Sequence, residues 1–128
     1  MIVTIESKKT MREPLRVLLA EDEFVVRIML AEMLEEMGFT IVGPAATVEQ
    51  AATLCETGGI DLALLDVNLN NEEIFPVADT LRRMSVPIIF STGYAMAGLP
   101  DNWIGAVLLQ KPYGQDDLNA AIRTLLPS

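Results

Sequence analysis

From Leu15 onward the chain alternates short apolar runs with longer stretches in which apolar and polar residues recur every three or four positions. Leu15–Ala20 (LRVLLA) and Leu62–Asp66 (LALLD) are almost continuously apolar, the pattern of strands buried on both faces. Phe39–Gly43 (FTIVG), Pro87–Thr92 (PIIFST) and Ala106–Gln110 (AVLLQ) read as three further strands. Phe24–Met37 is predicted as a helix with Val25, Ile28, Met29, Met33 and Met37 on its apolar stripe, Glu32 and Glu36 on the other side, and Gly38 as its stop. Thr47 and Gln50 have capping-box spacing and open a second helix to about Thr57, before Gly58 and Gly59. Ile74–Met84 and Asp116–Leu126 complete the set. Strands alternating with helices predict an α/β fold whose parallel sheet is covered on both sides by right-handed crossovers. One unit breaks the rhythm. Gly98 and Pro100 lie where a fourth helix would run, so that helix should be short, irregular or mobile.

Length and charge narrow the picture. At 128 residues with 51% hydrophobic content, the chain is expected to form one domain over about 15–128, behind a flexible leader over 1–14. No apolar run reaches the roughly 18 to 20 residues that span a bilayer, and the N-terminus lacks the basic start of a signal peptide, so a soluble cytoplasmic protein is expected. Nine basic residues against eighteen acidic ones give a net charge of −9, which argues against nucleic acid as a partner. There is no histidine, so a phosphohistidine donor, a histidine zinc site and a histidine general base are excluded. The one cysteine, Cys55, reads as a small buried residue.

Chemistry should gather outside the C-terminal ends of the strands, where an open parallel sheet reverses its order. Those ends carry Glu21, Asp22 and Glu23 after the first strand, Asp66 at the third, Ser91 and Thr92 at the fourth, and Lys111 after the fifth. Two unit charges about 4 Å apart repel by roughly 4 kcal/mol at an effective dielectric of 20, so such a carboxylate cluster needs a cation. All-oxygen ligands suit Mg2+. A phosphoryl group arriving on Asp66 would then find a nucleophilic carboxylate, a metal for one oxygen, Lys111 for a second and the Thr92 hydroxyl for the third. Singly, each residue has a plainer reading: a solvated helix start, a turn, a strand-end lysine. Together, at the ends of strands one, three, four and five, they form a constellation that chance rarely arranges.

In these segments the chain resembles the receiver domain of bacterial two-component response regulators. The resemblance rests on VLLAEDE (17–23), DLALLDVNL (61–69), PIIFSTGY (87–94) and LLQKPY (108–113). It implies a flavodoxin-like, doubly wound (βα)5 sandwich with sheet order 2-1-3-4-5. It also implies that Asp66 is the phosphoacceptor and that Asp22 ligates magnesium directly while Glu21 acts through water. Asn68 would complete the metal shell through its carbonyl, Thr92 would be the switch hydroxyl, and Lys111 would precede a cis peptide to Pro112. GPAATVEQA (43–51), FPVADTLR (75–82) and Phe90-Ser91-Thr92-Gly93-Tyr94 are similar to single-domain alphaproteobacterial receivers with a Phe-Ala-Thr-Gly type motif, although Ala95 replaces that subgroup's second aromatic. Leu108 occupies the usual position of the strand-five switch aromatic, leaving Tyr94 as a possible substitute switch. Asn70-Asn71-Glu72-Glu73 replaces the common proline after the acceptor, which should make that loop polar and mobile.

The function implied is a stand-alone receiver that takes a phosphoryl group from a sensor histidine kinase. It would serve as a phosphorelay shuttle to a histidine phosphotransferase, a phosphate sink, or a phosphorylation-switched binding module for a target protein. It would be a monomer or weak homodimer and would assist only its own phosphorylation and dephosphorylation. Two other readings stand beside this one. A phosphorylation-independent adaptor would require a vestigial pocket. An aspartyl-phosphate hydrolase would need a second aspartate where Asp66-Val67-Asn68 offers none.

Overall fold

The computed structural model describes residues 14–93 and 99–126. Most of the expected leader and Tyr94 through Gly98 lie outside these residues, including the proposed switch Tyr94. The chain runs β1 (Arg16–Ala20), α1 (Phe24–Glu36), β2 (Thr40–Ala45), α2 (Val48–Cys55), β3 (Leu62–Asp66), α3 (Phe75–Arg83), β4 (Ile88–Thr92), β5 (Val107–Gln110) and α4 (Gln115–Leu125). The five strands form one parallel sheet in the order β2-β1-β3-β4-β5. This is the flavodoxin-like doubly wound arrangement, with the order reversing between β1 and β3.

The apolar runs fold as they do because successive strand residues point to opposite faces. Leu18, Ala63, Leu65 and Phe90 pack beneath α2 and α3 with Ala51, Cys55, Val77 and Leu81. Val17, Leu19, Leu62, Leu64 and Ile89 pack beneath α1 and α4 with Leu30, Leu34, Leu118 and Ile122. Two apolar layers therefore clamp one sheet. Among the described residues, no helix is long and apolar enough to cross a membrane.

Three expectations need correction. The core stripe of α1 is Leu30 and Leu34, flanked by half-buried Val26, Met33 and Met37, whereas Phe24, Val25, Ile28 and Met29 face solvent beside Glu32, Glu35 and Glu36. This helix is apolar on nearly every side, so periodicity alone could not choose the buried one. The Thr47 hydroxyl does accept the Gln50 N–H, but the Gln50 side chain reaches one residue further back and accepts from Ala46 N–H at 2.7 Å. The loop after β3 is a closed hairpin, pairing Asn68–Leu69 with Glu72–Glu73 through Asn70 and Asn71. Both asparagines have positive φ, at 50° and 69°, which the tight turn demands and which asparagine tolerates.

Between β4 and β5 the described residues hold only a short 3₁₀ turn, Asp101–Trp103, after Pro100. Its anchor is Trp103, which stacks edge-on against Phe90 at 5.1 Å. The indole N–H donates to Asp79 on α3, and the Arg82 guanidinium lies 3.4 Å over the ring. One buried aromatic thus ties the described part of this connection to α3.

The reassigned face of α1 can be tested by urea denaturation. Leu34→Ala should lower stability by about 2–5 kcal/mol, because it opens a cavity in the layer beneath α1. Met29→Ala should change it by no more than about 0.5 kcal/mol. Equal losses would show that the helix is turned the other way.

Candidate functional site

The backbone that carries the acids is shaped by an irregularity in β2. Gly43 has φ +99°, and a Cβ there would meet the Ala45 nitrogen at 2.8 Å. The Gly43–Pro44 bond is cis, and the pairing of β1 with β2 shifts register at this point. Ala45 then accepts the Glu21 N–H at 2.9 Å, extending the sheet contact one residue past β1.

Three carboxylates converge above the ends of β1 and β3. Glu21, Asp22 and Asp66 each present an oxygen within 4.8 Å of the others. Glu21 is fully buried, and its Oε2 accepts the Glu23 N–H at 3.0 Å. Asp66 is 7% exposed, and its Oδ1 accepts the Asn68 N–H at 3.2 Å. Asp22, half-buried, accepts the Asn70 N–H of the hairpin at 3.0 Å.

Lys111 is the counter-charge. The β5 end is fixed by the Lys111 N–H donating to the Thr92 carbonyl at 2.7 Å. Its ammonium then donates to Asp66 Oδ2 at 2.8 Å and sits 2.5 Å from Glu21 Oε1. Glu21 Oε1 nonetheless receives no well-directed hydrogen bond. The Lys111–Pro112 bond is cis.

Burial governs the protonation of the two most enclosed groups. Desolvation pushes the Glu21 carboxyl up to about 7, outweighing the opposing pull of Lys111 and the Glu23 N–H. Burial works against the Lys111 ammonium as well, but hydrogen bonds and charge from Asp66 and Glu21 override it and hold the amine well above its usual range. One ammonium cannot neutralise three carboxylates. A buried, poorly bonded Glu21 oxygen beside two more acids is a donor set suited to a hard divalent cation, and Mg2+ fits it.

The structure thus brings Glu21, Asp22, Asp66 and Lys111 into contact range, with Asn68 bonded to Asp66. Thr92 ends β4 beside them, 3% exposed. The Asn68 side chain is turned into the hairpin, accepting the Asn71 N–H, so only its backbone meets the acids. Sequence reasoning missed two neighbours. The Tyr113 hydroxyl donates to Ser91 Oγ at 3.2 Å, and Ser91 pairs with Asp66 across the sheet. Arg27 donates to the carbonyls of Glu21 and Asp22. Its signal was a cation in the first turn of a helix, the end that disfavours one.

The family model for the response regulator receiver domain matches residues 17–123. The transcriptional regulatory protein PdtaR of Mycobacterium tuberculosis is 35% identical over 113 residues, covering 85% of this chain and 55% of that protein. The chain spans about half the length of the curated relatives it matches. Among solved structures, SdrG from Sphingomonas melonis Fr1 aligns with a TM-score of 0.79 at 36% identity, covering 88% of this chain and 96% of SdrG. The BeF3-activated conformation of SdrG from Pseudomonas melonis Fr1 aligns with a TM-score of 0.74 at 38% identity, covering 87% of this chain and 95% of that one.

The pH dependence of the metal-free protein follows from Glu21. Its folded value of about 7 exceeds the ordinary 4.5, so between these limits the folded state holds a proton that the unfolded chain has lost. The contribution of Glu21 is therefore fully present at pH 4.5 and below and is lost as pH rises through 7. Glu21→Gln should abolish this decline and melt several degrees above wild type at pH 8 without metal. Thermal melts at pH 5 and pH 8 measure it, and an unchanged pH slope in the variant would refute it.

Proposed function

The chain belongs to the receiver family of two-component response regulators, and from that premise we propose that Asp66 accepts a phosphoryl group from the phosphohistidine of a sensor kinase. The observation that carries this is the position of the Asp66 carboxylate. It lies at the mouth of the sheet, gripped by Lys111 on Oδ2 and by a backbone N–H on Oδ1, with two further acids within 4.8 Å. Receiver domains in general bind Mg2+ and are switched by phosphorylation. Here Glu21, Asp22, Asp66 and the Asn68 carbonyl would hold the ion. When bound, Mg2+ supplies charge neutralisation for the incoming phosphoryl oxygens.

The chain's own groups account for the rest. An Asp66 oxygen attacks phosphorus as the phosphorus–nitrogen bond to histidine breaks. Lys111, already beside Asp66, meets a second phosphoryl oxygen, and the Thr92 hydroxyl donates to the third. Chemistry on other substrates has no part in this reading: the domain assists only its own phosphorylation and dephosphorylation. A sensor histidine kinase is the donor, with a histidine phosphotransferase or other protein target downstream, in the cytoplasm. Phe24, Val25, Ile28 and Met29 form an exposed apolar face on α1 that begins two residues beyond Asp22. We assign the kinase to this face, because it is exposed, apolar and directly continues the acid loop.

Two measurements test the reading. Beryllofluoride with Mg2+ should shift the amide resonances of Asp66, Thr92 and Lys111, and Asp66→Asn should abolish the response; silent spectra in the wild-type protein would end the proposal. The double variant Ile28→Asp/Met29→Asp should retain Mg2+ binding and thermal stability but slow phosphotransfer from the cognate kinase by about tenfold or more, equivalent to about 1.4 kcal/mol of lost docking. Transfer at the wild-type rate would place the kinase elsewhere.

A further inference from the structure

Both β1 acids sit on a three-residue connection, Glu21–Glu23, that passes directly into α1. Its N–H groups and carboxylates are bonded through Ala45, Glu23 and Asn70, which leaves the Glu21 and Asp22 carbonyls to be accounted for. The N-cap residue Glu23 makes no side-chain cap, and the first turn of α1 carries no acidic residue. The Glu21 N–H is tied to Ala45, and the Glu21 and Asp22 carbonyls accept from a side chain. The side chain that reaches them is Arg27. Its Nη1 donates to the Glu21 carbonyl at 2.9 Å and to the Asp22 carbonyl at 3.1 Å. Its guanidinium lies 5.6 Å from the centre of the Phe24 ring, so the side chain folds back along the helix toward its start.

This is an unexpected place for a cation. The N-terminal end of a helix carries partial positive charge, and arginine there opposes it. A single nitrogen bonded to two successive carbonyls fixes the two peptide planes relative to each other. Those planes set the directions in which the Glu21 and Asp22 side chains leave the backbone. We infer that Arg27 is a positioning residue for the metal site: it touches neither Mg2+ nor the phosphoryl group, and acts by holding the two acids at the spacing that a divalent cation requires.

The inference rests on the Mg2+ reading of the pocket and makes a prediction of its own, because Arg27 has two opposed effects. Its charge repels a nearby cation, so charge alone predicts that removing it tightens Mg2+ binding. Its hydrogen bonds preorganise the ligands, so positioning predicts that removing it weakens binding. Groups that orient metal ligands from outside the coordination shell typically change affinity by about ten- to a hundredfold.

Calorimetric titration of the full chain with Mg2+ alone separates the two, accompanied by melts without metal. Arg27→Ala should weaken Mg2+ binding by about tenfold or more, and Arg27→Lys, which restores a multiple donor, should recover most of it. Arg27→Met keeps the apolar stem over Phe24 and should match the alanine variant, which guards against a folding defect in the latter. Unchanged or tighter binding in the alanine and methionine variants would overturn the inference, even if their melting points fell. Failure of the wild-type chain to bind Mg2+ would instead sink the metal reading of the pocket, and this inference with it.

Discussion

Three carboxylates share a space less than 5 Å across at the end of a buried sheet, and only Lys111 among the described residues places a cation between them. Like charges at such separations repel by several kcal/mol at an effective dielectric of 20, and burial of Glu21 sharpens the conflict. The surroundings make the cluster tolerable without neutralising it. Backbone N–H groups of Glu23, Asn68 and Asn70 each take one carboxylate oxygen, and Glu21 holds its proton to an unusually high pH. A bound divalent cation would relieve the repulsion that remains.

The fold supplies the place for this conflict. Reversal of strand order between β1 and β3 leaves a crevice at their C-terminal ends, and β4 and β5 bring Thr92 and Lys111 to its rim. The hairpin after β3 closes one side, and through Asn70 it couples Asp22 to the segment that leads into α3. Arg27 of α1 donates to the Glu21 and Asp22 carbonyls of the acid loop. The same helix turns Phe24, Val25, Ile28 and Met29 outward within a turn of the pocket, and the Arg27 guanidinium lies against the Phe24 ring at the edge of that face.

On the far side of the pocket, Trp103 packs edge-on against Phe90, two residues before Thr92 on the same strand. Leu108 pairs with Phe90 on the neighbouring strand.

The sequence by itself determined the five strands and the four long helices, and marked Glu21, Asp22, Asp66, Thr92 and Lys111 as polar residues at strand ends, while the sheet order was implied by the family resemblance. The reason is physical: strands buried on both faces must be apolar runs, so polar residues at their ends stand out, and parallel topology puts those ends on one edge. Tertiary structure decided what local patterns leave degenerate. A helix apolar on nearly every side, such as α1, could turn several faces inward, and only the fit of Leu30 and Leu34 against Val17, Leu19 and Leu64 chose one. The Gln50 reach to Ala46, the hairpin at Asn70, the seat of Trp103 on α3 and the grip of Arg27 on two carbonyls are likewise contacts whose partners are fixed by the packed backbone. No spacing rule encodes them, because each depends on distances that exist only once the layers have closed.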